Sequence, residues 1–134
     1  MKWMLDTNTC IYIIKQKPLK VLERLRSCRI SDVGISTITL SELEYGVAKS
    51  TQAQRNKVAL TEFVAPLEIF AYDDMAAQAY GDIRAHLESE GYPIGPLDTL
   101  IAAHARSIGC TLVTNNDAEF ARVPGLQVEN WATP

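Results

Sequence analysis

Carboxylates are the side chains in this sequence best placed to do chemistry. The apolar run Trp3-Met4-Leu5 ends on Asp6, followed by Thr7 and Asn8, and a helical pattern sets in at about Cys10. Glu42 comes after a short apolar segment around Ile35, Asp98 follows Pro96, and Asn116, Asp117 and Glu119 follow Thr111-Leu112-Val113. Each acidic segment thus lies past a predicted strand's carboxyl end or in the first turn of a predicted helix. In a doubly wound sheet those places gather on one edge, where a crevice receives ligands. Hard oxygen donors in that arrangement suit Mg2+ or Mn2+, which keep several waters and meet substrate phosphates. Four acidic segments on one rim also repel one another unless a cation neutralises them.

Every one of these residues has a purely local alternative. Asp6, Thr7 or Asn8 could cap the next helix. Thr39-Leu40-Ser41-Glu42 matches a capping box, in which the Glu side chain reaches back to the cap residue's amide. Asp98 could complement the positive end of its helix, and Asn116-Asp117-Ala118-Glu119 is another cap. Competing chemistry is absent: the sequence has no phosphate-binding G-x-x-x-x-G-K-[ST], no G-x-G-x-x-G and no G-x-S-x-G. His86 and His104 have no metal-ligand spacing, and His104 falls on an apolar helix face as a packed core residue. Cys10, Cys28 and Cys110 form no C-x-x-C pair and read as reduced thiols.

The elements that must position the acids are legible from apolar spacing. Strands are predicted at residues 2–5, near residues 33–35, within 67–72, at 111–113 and around 126–129. Helices are predicted at about 10–15 and from Pro18, which takes the first helical position and presents Leu19, Leu22 and Leu25. Others are predicted over residues 40–47, 52–64 and 116–121, and from Asp73 or Asp74 with Met75, Ala79, Ile83 and Leu87 one turn apart. The helix opened by Pro96 turns Leu97, Leu100, Ile101, His104 and Ile108 inward and stops at Gly109. Alternating strands and helices joined by short loops predict an α/β fold. It is a parallel sheet of four to five strands with helices on both faces, one domain over residues 1–134.

Composition bounds the rest. Hydrophobic residues make up 47% and charged residues 22% of 134, an ordinary globular mixture. Asp6 cuts the first apolar stretch too early for a signal peptide, and nothing approaches the ~18 apolar residues of a membrane span. A soluble, cytoplasmic protein is expected. A net charge of −3 argues against coating nucleic acid by bulk charge. Yet Lys15, Lys17, Lys20, Arg24, Arg26 and Arg29 cluster with only Glu23 to offset them, so a local patch could hold phosphates or be a solvated helix face.

Four segments, in order and spacing, carry a resemblance. They are Met4-Leu5-Asp6-Thr7-Asn8; Ile35-Ser36-Thr37-Ile38-Thr39-Leu40-Ser41-Glu42-Leu43 with Gly46; Pro93-Ile94-Gly95-Pro96-Leu97-Asp98 with Ile101-Ala102-Ala103; and Val113-Thr114-Asn115-Asn116 with Glu119-Phe120. Across essentially its whole length the chain resembles the PIN-domain ribonucleases, and among them the VapC toxins of type II toxin–antitoxin pairs. The resemblance implies a Mg2+- or Mn2+-dependent endoribonuclease whose acids fall on Asp6, Glu42 and Asp98. Where relatives often carry a fourth acid this chain has Asn116, leaving Glu119 or Asp117 to complete the site. Thr7, Asn8 and Thr114 are then candidates to fix carboxylate rotamers, and Lys15, Lys17, Lys20 and Arg24 to contact RNA. Also implied are a homodimer, a VapB-like antitoxin that carries DNA binding, and RNA as substrate, with tRNA and initiator tRNA favoured by overall likeness. A small-molecule phosphatase using an aspartyl nucleophile is disfavoured, because Asn8 replaces the second Asp of D-x-D. An inert binding module is disfavoured by the presence of Asp6, Glu42 and Asp98.

Overall fold

Strands of three or four residues build the sheet, with the three central ones buried between helices and the two edge strands largely or partly exposed. Strands β1 (Trp3–Leu5), β2 (Val33–Ser36), β3 (Glu68–Phe70), β4 (Thr111–Val113) and β5 (Gln127–Glu129) pair in the order β3-β2-β1-β4-β5, every pair parallel. The computed structural model describes residues 2–133. Central β1 sets Trp3 beside Val33 on one flank and Thr111 on the other. Its side chains alternate, so Met4 enters the core under one face and Leu5 the core under the other. Every residue of β2 and β4 is buried, as a parallel sheet covered on both faces requires.

Seven helices surround the sheet among the described residues: α1 (Thr7–Lys15), α2 (Leu19–Ser27), α3 (Thr37–Ala48), α4 (Ala53–Val64), α5 (Asp74–Ser89), α6 (Pro96–Ile108) and α7 (Asp117–Phe120). The first four cover the Leu5 face, where Ile13, Val21, Leu43 and Leu60 meet Ile35 and Val113. Helices α5 and α6 cover the other with Ala79, Ile83, Leu87, Ile101 and Ala102. The chain crosses from one side of β1 to the other, so the order reverses between β1 and β4 and opens a crevice past their carboxyl ends.

Several local expectations shift, each for a physical reason. Helix α1 begins at Thr7, three residues earlier than the apolar pattern suggests, because the Asp6 carboxylate accepts from Thr9 N at 2.8 Å and starts it directly off β1. Ser36 does the same for α3 through Ile38 N, so the capping box expected at Thr39 does not form and Glu42 lies in the second turn. Pro18 precedes α2 as its cap residue rather than opening it, and Val21 carries the burial while Leu19 is exposed. In the α5–α6 pair Met75, Leu97 and Ile108 are exposed. The buried residues of the pair include small ones, Ala76 and Ala79 on α5 and Ala102, Ala103 and Ala105 on α6, beside Ile83, Leu87 and Ile101.

The carboxyl-terminal segment is fastened by one polar–aromatic cluster. Glu129 at the end of β5 accepts the indole N–H of Trp3 (3.3 Å) and of Trp131 (3.1 Å) and pairs with Arg24 (3.2 Å). The Arg24 guanidinium also lies 5.6 Å from the Trp3 ring and 5.4 Å from the Trp131 ring. The three cysteines are free thiols, and Cys10 is held protonated by burial.

Gly34 is the tightest point of the sheet: a Cβ there would meet the Glu68 carbonyl oxygen and the Phe70 ring, both at 2.5 Å. Gly34→Ala should therefore force β2 and β3 apart and cost about 2 kcal/mol or more. Gly81→Ala, in open space on α5, should stabilise by roughly 0.5–1 kcal/mol. Urea unfolding midpoints check both, and equal midpoints for the two variants would contradict the assignment.

Candidate active site

Four backbone segments deliver a carboxylate to the crevice. Asp6 comes directly off β1, buried, as the cap of α1. Glu42 projects from the second turn of α3, Asp98 from the first turn of α6 and Glu119 from α7, all half-buried. Their shared neighbourhood is registered by Asp98, whose carboxyl is pushed up to about 6, first by burial and then by the charges of Glu119, Asp6 and Glu42. No Lys or Arg pairs with any of the four among the described residues; the ion pairs present use Glu68, Glu129, Glu44 and Glu88 instead.

Hydroxyls and amides fix these carboxylates in place of cations. Asp6 accepts from the Thr9 backbone N–H and from the Thr114 hydroxyl. Thr114 Oγ1 itself accepts the Asn116 amide at 3.0 Å, which leaves its proton to be donated to Asp6. Burial lifts the Asp6 carboxyl above its ordinary range, and these hydrogen bonds oppose the rise. Thr7 donates to Glu42 Oε1 at 2.6 Å, joining the first turn of α1 to α3. Asn116 donates its side-chain amide to Glu119 Oε2.

The structure divides the residues singled out in the sequence. Asp6, Glu42, Asp98 and Glu119 come together, with Thr7, Thr114 and Asn116 bonded to them. Asp117 points elsewhere: it is exposed and accepts from Asn130 Nδ2 at 3.1 Å. Asn8 is exposed on α1, as are Lys15, Lys17 and Lys20 beyond it. Arg24, grouped with those lysines in the sequence, is half-buried in the Glu129 cluster and is a structural tie rather than a free cation. Thr9 was not legible as a site residue, although the Asp-x-x-Thr spacing of an N-cap is its signal. Tyr12 and Asn115, bonded at 2.6 Å, had no local signal at all.

The donor set is chemically that of a hard divalent cation: carboxylate oxygens, ordered by hydroxyls and otherwise unneutralised. No three acidic, histidine or cysteine side chains among the described residues converge closely enough to enclose an ion directly.

Comparison with known proteins agrees with the fold. The PIN domain model matches residues 3–126. The chain is 48% identical over 131 residues to the tRNA(fMet)-specific endonuclease VapC of Salmonella typhimurium, covering 98% of each chain. It is 42% identical over 132 residues to ribonuclease VapC2 of Rickettsia felis, again covering 98% of each. Among solved structures, DNA-bound VapBC from Salmonella typhimurium superposes with a TM-score of 0.92 at 48% identity, over 98% of both chains. VapBC2 from Rickettsia felis bound to a promoter DNA fragment gives 0.91 at 41% identity, over 98% of this chain and 99% of that one.

Asp98 makes stability depend on pH in a defined direction. Its folded-state carboxyl titrates at about 6, above the ordinary value of 3.8, so the native state binds the proton more tightly than the unfolded chain. In metal-free buffer the Asp98 contribution is therefore greatest when the carboxyl is protonated and is lost as pH rises from about 4 through about 6. Because the side chain is half-exposed and screened by solvent, the loss is on the order of 1 kcal/mol. Asp98→Asn should gain stability relative to the parent over that interval, read by urea titration at pH 4 and pH 7. A difference that does not change with pH would refute the coupling.

Proposed function

This chain belongs to the PIN-domain family, on its VapC ribonuclease branch, and we propose that it is a toxin-type endoribonuclease dependent on Mg2+ or Mn2+. The observation that carries the reading is the convergence of Asp6, Glu42, Asp98 and Glu119, unpaired with any base among the described residues, at the carboxyl edge of a parallel sheet. Asp6 and Asp98 would hold the cation, directly or through its waters, with Glu42 and Glu119 as the further acids of the site. When bound, the cation polarises the scissile phosphoryl group, acidifies the attacking water and steadies the leaving oxygen.

The chain's own residues supply position and proton transfer. Glu42, kept in one rotamer by the Thr7 hydroxyl, orients the nucleophilic water and takes its proton. Thr114 and the Thr9 amide keep Asp6 aimed into the crevice and favour its charged form. Exposed Lys15, Lys17 and Lys20 draw RNA phosphates towards the rim, a role Arg24 does not share. Relatives named tRNA(fMet)-specific endonuclease support initiator tRNA as the substrate of this chain.

The partner follows from the two solved relatives above, both VapBC structures with DNA bound. A VapB-type antitoxin restrains this chain, inserting an Arg or Lys that pairs with the acidic residues and displaces the cation. The antitoxin carries the DNA contacts, and the toxin acts as a homodimer. No helix among the described residues is long and apolar enough to cross a membrane.

Purified protein should cleave initiator tRNA with Mg2+ or Mn2+, stop in chelator, spare p-nitrophenyl phosphate and leave 5′-phosphate and 3′-hydroxyl ends. Asp6→Asn and Asp98→Asn should lower the cleavage rate at least roughly 100-fold while remaining folded by circular dichroism. Undiminished cleavage in chelator, or a folded Asp98→Asn protein at wild-type rate, would sink the reading.

The basic stretch has a separate test. Lys17→Glu with Lys20→Glu should weaken RNA binding across all sequences and reduce the slope of log affinity against log salt by about one to two. An unchanged slope returns those lysines to the role of a solvated surface.

A further inference from the structure

The proposed chemistry leaves unused a buried imidazole that joins three separate segments of the rim. His104, on α6 six residues past Asp98, is 1% exposed. Its Nδ1 lies 2.8 Å from Ser36 Oγ, and the Ala71 backbone acts on the ring from the segment after β3. With the ring proton on Nε2, Nδ1 accepts from the Ser36 hydroxyl. Ser36 Oγ in turn accepts the Ile38 N–H at 3.0 Å and so caps α3. Phe70 and Tyr72 present their rings edge-on to the imidazole at 6.4 and 5.5 Å, and Asp73 is the charged group acting on it from the turn after β3. Burial outweighs Asp73 and keeps the ring neutral.

One ring thereby ties α6, the β2–α3 corner and the segment after β3. The corner has a second tie, from Tyr72 N to Thr37 Oγ1 at 3.2 Å. Glu42 stands six residues beyond Ser36 on α3, just as Asp98 stands six residues before His104 on α6. Six residues are about 9 Å of helix, so a small tilt at the junction moves both carboxylates. An apolar side chain of similar volume would fill the space but leave the buried Ser36 hydroxyl proton without an acceptor.

We propose that His104 is a positioning residue for the acidic site, its hydrogen bond with Ser36 setting how Glu42 and Asp98 face each other across the crevice. The inference rests on the ribonuclease reading above. Three variants separate positioning from packing. His104→Asn keeps an acceptor where Nδ1 stands. His104→Gln keeps only a donor where Nε2 stands. Ser36→Gly removes the hydroxyl while leaving a residue that caps helices nearly as well.

Each variant is assayed at a temperature where circular dichroism shows native signal, for kcat and KM on initiator tRNA. Mn2+ affinity is measured by calorimetry without RNA. Ser36→Gly and His104→Gln should lose roughly 10- to 100-fold in kcat with little change in KM, and should bind Mn2+ less tightly. His104→Asn should retain most of both. Folded Ser36→Gly protein with wild-type kcat and wild-type Mn2+ affinity overturns the proposal, and so do losses that follow melting temperature alone across the three variants. A wild-type protein that binds Mn2+ but cleaves no RNA overturns the ribonuclease reading instead, and the Mn2+ affinities then decide this one. Wild-type protein that binds no Mn2+ overturns both.

Discussion

Parallel pairing of β1 with both of its neighbours is the constraint on which the rest depends. A parallel strand can be reached only by a crossover, so the chain must return over a face of the sheet after every strand. All five strands then finish on one edge, and whatever follows them is gathered there. Asp6, Ser36, Ala71, Thr114 and Asn130 are the last residues of those strands or the first beyond them. Placing them together costs no special loop, because the sheet's polarity already does so.

Charge at that edge works against the fold that assembles it. Burial and three like-charged neighbours raise Asp98, and burial raises Asp6. Such a site stands as local strain held by the packing around it, which is how functional residues commonly sit in stable folds. Two kinds of contact hold it here. Hydroxyls of Thr7 and Thr114 set carboxylate rotamers without neutralising them, and the α5–α6 pair, packed through buried apolar residues, gives Asp98 a rigid base. Asp6 combines two placements in one side chain, since the carboxylate that caps α1 is also one of those acting on Asp98. Capping and a place at the crevice were alternatives at the level of sequence; in the structure one side chain does the first from the position of the second.

How much was legible follows from whether the signal was local. The sheet was, because apolar runs bounded by Pro, Gly and polar caps mark each strand, and β1 through β5 lie within a residue or two of their expected places. Helix starts were less so. Thr39 with Glu42 has a convincing capping-box spacing, yet Ser36, already in the strand's last position, starts α3 first. Apolar faces were misjudged where small residues do the packing, with Met75 and Leu97 turned outward and Ala76 and Thr99 inward. Of the three residues offered to complete the acids, side-chain direction separates Glu119 from Asp117, and no sequence pattern contains that. Pairings such as Arg24 with Glu129 or Ser36 with His104 span 105 and 68 residues and exist only once the sheet has brought them together.

The cluster that fastens the last strand gives the molecule its own optical probe. Trp3 and Trp131 are the only two tryptophans in the chain, and both donate to the same carboxylate and flank the same guanidinium. Indole emission responds to nearby charge and solvent, so the whole tryptophan signal originates from the seam between α2, β1 and the carboxyl-terminal segment. Events confined to the α5–α6 side would be almost silent in that signal, whereas loosening of the β5 edge would dominate it. Fluorescence therefore watches one side of this protein and far-ultraviolet dichroism the helices of both, and a gap between their transitions would show whether the tryptophan side opens before the rest.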